Sequence, residues 1–413
     1  MSAPTPLTAT AERPYGELVP DPDGLIDLPE GFSYRVISRL GDMMDDGFTV
    51  PDRADGMGCF DLGNGKIALV RNHELRAGAD GGGVVGPAYD TVARSLVPLP
   101  GGTTTIVLDQ DSLEIERQYR SLAGTIYNCA GGITPWGSWL SCEEDVTLPN
   151  GRVNKEHGYV FEVPATAPGL VDPVPLKAMG RFKHEAACVD PATGYVYLTE
   201  HREEGLLYRF VPDIPGDLAA GGKLQALSIE GVQDTTNWHD RTMELGEWHR
   251  ATWIDLDNVE APEDDLRHRG IAKGASHFRE GEGIHMGDGE FYFTATYGGP
   301  LQMGQIFRLR PGRDGHDEIQ LFLETIDDTE FSFGDNLTVA PNGHLVVCED
   351  QYERDFLTNH LRGVTTQGAP YPLALSRIQS EWAGVCFSPD GRTLFANIQD
   401  PTMTIAIRGP WIA

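Results

Sequence analysis

The chain has 413 residues, 40% of them hydrophobic, and 62 acidic residues outweigh 32 basic ones to give a formal charge of −30. A surface of this charge repels nucleic acid and anionic membranes, so we expect neither as a partner. No apolar run is long enough to span a bilayer, and the length permits one large domain with a closed β architecture.

The N-terminal 24 residues are polar and rich in proline. We interpret residues 1–24 as a tail or surface strap and residues 25–413 as a single domain. The tail shows no secretory signal peptide. Directly after it, Phe32–Ile37 alternates apolar and polar side chains, which predicts a half-buried strand.

One pattern recurs six times: a head residue, a strand, a Gly-containing turn, a second strand and a polar tail. Its clearest copy is 128–145, NCAGGITPWGSWLSCEED, which opens near Cys129 and ends on Glu143 and Glu144. Self-similar units of this size are typical of propellers with four strands per blade. Six copies therefore predict an all-β fold, a six-bladed β-propeller.

Between the copies, the sequence predicts further outer strands. Residues 103–108 and 113–119 form a predicted hairpin, and the long insertion 211–275 contains strand-like 224–229 and 251–254. Residues 361–378 are interpreted as a proline-containing loop. Strong helical periodicity is absent throughout the sequence.

If the first strand of each unit is innermost, the head residues converge on the channel axis. The six heads are Asp55, Cys129, Glu185, Glu282, Asp335 and Glu381, and the tails add Glu74, Glu144, Glu200 and Glu349. So many carboxylates at one mouth cannot all ionise without compensation. Calcium, with six to eight oxygen ligands, is the usual remedy.

A thiolate is a poor calcium ligand, so Cys129 indicates a second ion such as iron or zinc. Metal ions bridged by carboxylates suit phosphoryl transfer, because they neutralise phosphate oxygens and activate a nucleophile. The alternative is a solvated or ion-paired role for each Glu and a buried thiol at Cys129. The sequence lacks GxSxG, HExxH and P-loop motifs and has no CxxC pair.

Five segments resemble the PhoX family of alkaline phosphatases: NCAGGITPWGSWLSCEE, GRFKHEAACVD with YLTEHRE, FREGEG with FYFTATYGG, GDNLTVAPNGHLVVCED and WAGVCFSPDGRTLFANIQ. The resemblance covers about residues 15–400. It implies a six-bladed propeller with calcium (Ca2+) and iron (Fe3+) in its channel, hydrolysis of phosphate monoesters and export to the periplasm or outside the cell.

By this resemblance Cys129 binds iron, and the other metal ligands are Glu144, Glu185, Glu282, Glu349, Glu74, Glu200, Asp335 and Glu381. Arg279 and Glu282 are the predicted catalytic residues. The expected partner is a small phosphate ester, with a monomeric protein. The chain also resembles the short branch of the family.

Two positions depart from the family pattern. Glu280 directly precedes the Gly281–Glu282 pair, where the pattern leads to an arginine, and Tyr127 stands before Asn128. Both departures remove positive charge near the substrate. The four residues that could compensate are Arg181, Lys183, Arg202 and Arg279.

Three functions are compatible with these patterns. The first is a metal-dependent phosphatase acting on phosphate monoesters or diesters. The second is a calcium-dependent propeller lactonase or esterase. The third is a propeller that uses calcium only to hold its blades and binds a partner without catalysis.

Overall fold

The computed structural model describes residues 13–312, 316–351 and 359–412. Over these ranges the chain forms 27 strands and one α-helix, Leu266–Ala272 (α1). The predicted all-β class is therefore confirmed. No helix in the described part of the chain is long and apolar enough to cross a membrane.

Three strands precede the repeats: Leu18–Val19 (β1), Ile26–Pro29 (β2) and Ser33–Arg39 (β3). Six consecutive units follow. Unit 1 contains Ala54–Gly63 (β4), Lys66–His73 (β5), Gly101–Asp109 (β6) and Ile115–Thr125 (β7). Unit 2 contains Asn128–Ile133 (β8), Ser138–Glu143 (β9) and Val160–Pro164 (β10). Unit 3 contains His184–Val189 (β11), Val196–Glu200 (β12), Gly205–Pro212 (β13) and Gly222–Ile229 (β14).

Two strands then lie in the insertion: Trp248–Asp255 (β15) and His277–Phe278 (β16). Unit 4 contains Gly281–Met286 (β17), Phe291–Ala295 (β18), Gln305–Arg310 (β19) and Asp317–Glu324 (β20). Unit 5 contains Gly334–Val339 (β21), Leu345–Glu349 (β22), His360–Val364 (β23) and Pro370–Ser376 (β24). Unit 6 contains Trp382–Phe387 (β25), Thr393–Ile398 (β26) and Met403–Arg408 (β27).

These units are joined into five hydrogen-bonded sheets rather than six. Strand β15 pairs with both β14 and β20, so units 3 and 4 share one ten-stranded sheet. Strand β3 pairs with β27 and supplies the fourth strand of unit 6 from the other end of the chain. The two chain ends thus close the ring of units.

The first strands of the six units form that ring. Strands β4, β8, β11, β17, β21 and β25 each contact the next in order, and β25 contacts β4. The second, third and fourth strands follow outward in most units. This is the propeller arrangement, and it places the N-terminal ends of the inner strands around one axis.

Residues 361–378 were predicted as a loop, and this prediction was wrong. They contribute β23 and β24, which pair antiparallel. Pro370 is the first residue of β24, a strand position where the missing N–H costs little. Leu361, Val364 and Leu373 are buried and supply the apolar side chains of these strands.

The N-terminal segment is partly paired. Leu18 and Val19 pair with Pro29 and Leu28, and β2 extends the sheet of unit 5 through β24. The predicted tail assignment for residues 1–12 lies outside the described residues. The predicted division between residues 24 and 25 stays a prediction.

Candidate metal centre

Each inner strand is bulged close to its start. In β8 the pairing runs from Asn128 opposite Glu143 to Gly131 opposite Ser141, so two residues face one on the partner strand. The first strand of every unit shows such a shift in register. A bulge re-aims the side chains that it contains, and in units 1–5 the bulge contains the predicted head residue.

A shared hydrogen bond defines equivalent positions in all six units. The backbone N–H after the second strand donates to a carbonyl just before the inner strand, over 2.8–3.3 Å. We name the N–H residues the tail ring: Glu74, Glu144, His201, Thr296, Asp350 and Gln399. The carbonyl residues form the rim ring: Arg53, Tyr127, Lys183, Glu280, Phe333 and Glu381. Two residues after the rim lies the head ring: Asp55, Cys129, Glu185, Glu282, Asp335 and Ala383.

These rings bring metal-ligating side chains into four overlapping groups of three. The groups are Asp55–Glu74–Glu381, Glu74–Cys129–Glu144, Glu144–Glu185–His201 and Glu185–Glu282–Asp335. Within each group one ligand atom from every member lies within 4.8 Å of the others. Two oxygens on one calcium ion can lie at most about 5 Å apart. Each group is therefore compact enough for one ion.

Three carboxylates are members of two groups each: Glu74, Glu144 and Glu185. A carboxylate has two oxygens, so it can bridge two ions. The four groups thus form one continuous chain around the channel rather than four separate sites. This arrangement is suited to a cluster of ions.

Burial makes this cluster electrostatically costly without cations. Burial, and then repulsion from Glu144, raises the pKa of Glu74 to about 8. Burial, and then Asp350, raises the pKa of Asp335 to about 7. The pKa values of Glu185 and Glu282 rise well above the ordinary range for the same reason, burial followed by neighbouring carboxylates.

Burial and the neighbouring carboxylates also act on the thiol of Cys129. Burial, followed by the charges of Asp55 and Glu185, raises its pKa well above that of a free cysteine. Without a cation the thiol therefore stays protonated at neutral pH. A bound metal reverses this preference, because a coordinating thiol is deprotonated.

Unsatisfied buried oxygens show that the site fits cations. Both carboxylate oxygens of Glu185 are buried and accept no hydrogen bond from any residue that the structure describes. One oxygen of Asp55 and one of Asp350 are likewise buried and accept no hydrogen bond from the described residues. Buried charged groups are normally paired or coordinate metals. The donor set of oxygens, one sulfur and one imidazole suits both a hard and a softer ion.

Two of the predicted ligands lie elsewhere. Glu200 accepts hydrogen bonds from the Tyr208 hydroxyl at 2.8 Å and from the Leu206 N–H at 3.1 Å. Glu349 accepts hydrogen bonds from Arg362 Nε at 2.8 Å and from the backbone N–H of His360 at 2.9 Å. Neither belongs to the four groups found among the described residues.

The tail ring lies one residue further along the chain in both units. His201 follows Glu200, and Asp350 follows Glu349. Sequence reasoning missed both, because it assigned the tails to Glu200 and Glu349, which are the last residues of their strands. Asp350 raises the pKa of Glu381, after burial, and so lies close to the cluster. The signal that could have found them is the alignment with Glu74 and Glu144, which also follow their strands directly.

Glu381 reaches the cluster from a different position than predicted. It was predicted as a head residue, but its carbonyl accepts the Gln399 N–H at 3.3 Å, which is the rim hydrogen bond. The head of unit 6 is Ala383, which has no ligand atom. The carboxylate of Glu381 nonetheless joins Asp55 and Glu74 in one group.

Small residues close the ring beneath the acidic groups. A Cβ on Gly56 would lie 2.6 Å from the Ala130 Cα, and one on Gly283 would lie 2.8 Å from the Asn336 Cα. Beyond this layer, an apolar cavity of about 550 Å3 occupies the other end of the channel. None of the head-ring acids lines that cavity. The channel is thus acidic at one end and apolar at the other.

Comparison with known proteins identifies the family. The profile of the family described as alkaline phosphatase PhoX matches residues 13–112 and 100–402. The chain belongs to the PhoX alkaline phosphatase family. This membership confirms the predicted enzyme class.

The solved structure of a PhoX protein agrees with this chain in fold. Pseudomonas fluorescens PhoX in complex with vanadate, a transition-state analogue, superposes with a TM-score of 0.71 at 19% identity over 94% of this chain and 96% of that one. The Xanthomonas campestris gluconolactonase XC5397 gives a TM-score of 0.46 at 14% identity over 97% and 99% of the two chains. The comparison with curated protein sequences found no match.

In this PhoX protein, one of the four basic residues that could compensate for the lost positive charge contacts the cluster directly. Lys183 Nζ lies 2.9 Å from Glu144 Oε1. Arg181 is buried and donates to backbone carbonyls, and Arg202 pairs with Asp264 at 2.5 Å. Arg279, predicted as catalytic, lies 4.1 Å above the Trp238 ring and 3.4 Å from a Glu203 oxygen.

The two positions that depart from the family pattern are both in the rim ring. Glu280 faces His201 at 3.8 Å and adds a negative charge beside the cluster. The Tyr127 hydroxyl accepts a hydrogen bond from Arg76, whose guanidinium lies 3.9 Å from the Tyr127 ring. Tyr127 also hydrogen-bonds Glu74. The cation missing at position 127 is thus supplied next to it by Arg76, which sequence reasoning did not single out.

Proposed function

We propose that this PhoX protein hydrolyses phosphate monoesters at a cluster of calcium and iron ions held at the acidic end of its channel. The observation that carries the proposal is the chain of four overlapping ligand groups, two of which share Glu185, whose buried carboxylate accepts no hydrogen bond from the described residues. Family membership supports phosphate esters as the substrate class.

The ligands divide by donor type. Cys129, with Glu74 and Glu144, would hold iron, because this group alone of the four contributes a thiolate. Asp55–Glu74–Glu381 and Glu185–Glu282–Asp335 offer only carboxylates and would hold calcium. Glu144, Glu185 and His201 form the mixed group between them.

When bound, such ions neutralise the phosphate oxygens and supply an activated oxygen nucleophile. The protein's own residues position them. The shared carboxylates of Glu74, Glu144 and Glu185 fix the spacing between neighbouring groups. The tight packing of Gly56 against Ala130 closes the channel below the cluster, so the ester approaches from the rim.

Lys183 is the residue best placed to meet the phosphate. Its ammonium lies 2.9 Å from Glu144 and its side chain retains 27% of its exposure, so it touches both the cluster and the opening. An ammonium here would attract the dianionic ester and stabilise negative charge that develops on its oxygens. Arg76 and Tyr127 add a guanidinium and a hydroxyl at the neighbouring rim position.

The decisive experiment compares turnover with metal content. Protein produced in medium containing calcium and iron is assayed with p-nitrophenyl phosphate, bis-p-nitrophenyl phosphate and a simple lactone, and its metals are measured by mass spectrometry. We expect monoester turnover with both metals bound. Lactone turnover without phosphatase activity, or neither activity with calcium retained, would replace this proposal by one of the two alternatives.

We further propose that the protein acts outside the cytoplasm and as a monomer. The strongly acidic composition and the family suit an exported enzyme. Size-exclusion chromatography with light scattering tests the monomer, and fractionation of the producing cells tests the location.

A further inference from the structure

The rim ring differs in chemistry from one side of the channel to the other. Units 1–3 contribute Arg53, Tyr127 and Lys183, and Arg76 lies against Tyr127. Units 4 and 5 contribute Glu280 and Phe333, and the sixth rim residue, Glu381, has its carboxylate in the group with Asp55 and Glu74. One side of the opening therefore offers cations and a hydroxyl, whereas the other offers a carboxylate and an aromatic ring.

The backbone holds these rim residues in an unusual conformation. Glu280 has φ 51° and Phe333 has φ 48°, and Arg53 and Tyr127 share this left-handed region at 56° and 53°. Residues other than glycine rarely adopt it, and such residues cluster at functional sites. Here the rim hydrogen bonds hold it, from Thr296 to Glu280 at 2.9 Å and from Asp350 to Phe333 at 3.0 Å.

An aromatic surface continues from Phe333. The Tyr297 ring packs edge-on against the Phe333 ring, with centroids 5.2 Å apart and planes at 70°. Tyr297 directly follows the tail-ring residue Thr296 and is 42% exposed. The Trp238 indole N–H donates to the Tyr297 carbonyl at 2.8 Å, which fixes the backbone beneath the ring.

The carboxylate of Glu280 makes this surface negatively charged. It lies 3.8 Å from His201, which itself lies 2.8 Å from Glu282 of the head ring. A group that passes the rim on this side is therefore close to the cluster and faces a negative charge. Arg279, next in sequence, cannot neutralise the opening, because it stacks on Trp238 and faces Glu203.

We infer that Glu280, Phe333 and Tyr297 form a subsite for the leaving group of the ester, which selects aromatic alcohols that are neutral or cationic over anionic ones. The inference rests on the proposed phosphatase function. Phosphate is drawn to the side of Lys183 and Arg76, so the organic part of the ester lies over units 4 and 5. Aromatic rings stack on such a surface, and a cationic group gains from both the rings and the carboxylate.

The charge preference is tested with three esters that share one ring: phenyl phosphate, 4-carboxyphenyl phosphate and 4-(trimethylammonio)phenyl phosphate. For each ester, kcat/KM of Glu280→Gln is divided by that of the wild type, which cancels the intrinsic reactivity of the ester. Relative to phenyl phosphate, we expect this ratio to rise about fivefold for the carboxylate ester and to fall about fivefold for the ammonium ester. Metal content should stay unchanged.

Glu203→Gln is the matched control. It removes the same charge from the neighbouring loop, at a side chain that is 74% exposed and pairs with Arg279. Solvent and salt screen such a charge, so we expect its three ratios to agree within about twofold. Equal ratios for all three esters in Glu280→Gln would overturn the charge preference.

Binding tests the aromatic surface without turnover. Calorimetry measures the affinity of the metal-loaded protein for phenylphosphonate and methylphosphonate. We expect Tyr297→Ala to weaken phenylphosphonate about fivefold and to leave methylphosphonate unchanged. Equal changes for both would overturn the subsite, whereas absence of turnover for every phosphate ester in the wild type would overturn the proposed function instead.

Discussion

Glu200 and His201 are consecutive residues whose side chains enter different parts of the protein. Glu200 bonds the Tyr208 hydroxyl at 2.8 Å within its own sheet, whereas His201 Nδ1 lies 2.8 Å from Glu282 of the next unit. Successive side chains at the end of a strand point to opposite sides. A structural acid and a candidate metal ligand are thus neighbours in the sequence.

Because their environments differ, substitutions of Glu200 and His201 should have different effects. Glu200→Ala removes the acceptor for Tyr208 and Leu206 and should lower the free energy of unfolding by about 2–3 kcal/mol, with metal per folded molecule unchanged. His201→Ala should lower the amount of metal bound per folded molecule. Urea unfolding and elemental analysis measure both, and metal loss in Glu200→Ala alone would contradict the assignment.

Lys183 provides a second test at the rim. Lys183→Met keeps an unbranched side chain that reaches to Cε but removes the ammonium beside Glu144, so binding of inorganic phosphate and vanadate as inhibitors should weaken about tenfold. Lys177→Met is the control, because Lys177 pairs with Glu260 at 2.6 Å on an exposed surface. Equal inhibition constants in the wild type and Lys183→Met would exclude phosphate contact by this lysine.

Metal removal should make stability depend on pH. The pKa of Glu74 is raised from 4.5 to about 8, and that of Asp335 from 3.8 to about 7. For acids with a raised pKa in the folded state, the folded protein binds more protons than the unfolded chain between the two values, so stability falls as pH rises. In the chelated protein Tm should drop by roughly 5–10 °C between pH 5 and pH 8.

The same measurement with metals bound gives the contrast. Bound cations keep these carboxylates ionised and remove the proton uptake that causes the slope. We expect Tm of the metal-loaded protein to change little over this range and to exceed that of the chelated protein most at pH 8. A chelated protein with a flat profile and confirmed metal loss would show that the carboxylates are stabilised by other means.

The sequence was sufficient to predict the repeat and most of the cluster. The head, turn and tail pattern located Asp55, Cys129, Glu185, Glu282 and Asp335, because each lies at the start of a predicted strand at similar spacing. These residues and the tails Glu74 and Glu144 do meet in space. The residues that the sequence pattern places correctly near one another are those at the starts of the inner strands, whereas their role as metal ligands stays a prediction.

Positions that depend on register could not be predicted in this way. The choice between Glu200 and His201, or between Glu381 and Ala383, follows from where pairing begins in each hairpin, and a shift of one residue reverses the side that it faces. Arg76 lies near Tyr127 through a loop contact that no local spacing encodes. The join of units 3 and 4 through β15 likewise results from tertiary pairing.

Cys129 and Cys188 allow the sharpest comparison, because one substitution tests two environments. Cys129 lies in the head ring with Glu74 and Glu144. Cys188 lies further along an inner strand, in an apolar cluster with Tyr197 and Phe291. Both thiols are buried, so burial alone does not distinguish them.

Cys129→Ala should remove the thiolate ligand, and with it iron and most activity, by orders of magnitude, while the fold survives. Cys188→Ala should lower the free energy of unfolding by about 1 kcal/mol through lost packing and leave metal and activity nearly intact. Elemental analysis, turnover of p-nitrophenyl phosphate and urea unfolding measure the three quantities on both variants. If Cys129→Ala keeps its iron and its turnover, sulfur is not a ligand, and the group Glu74–Cys129–Glu144 would hold an ion through carboxylates alone.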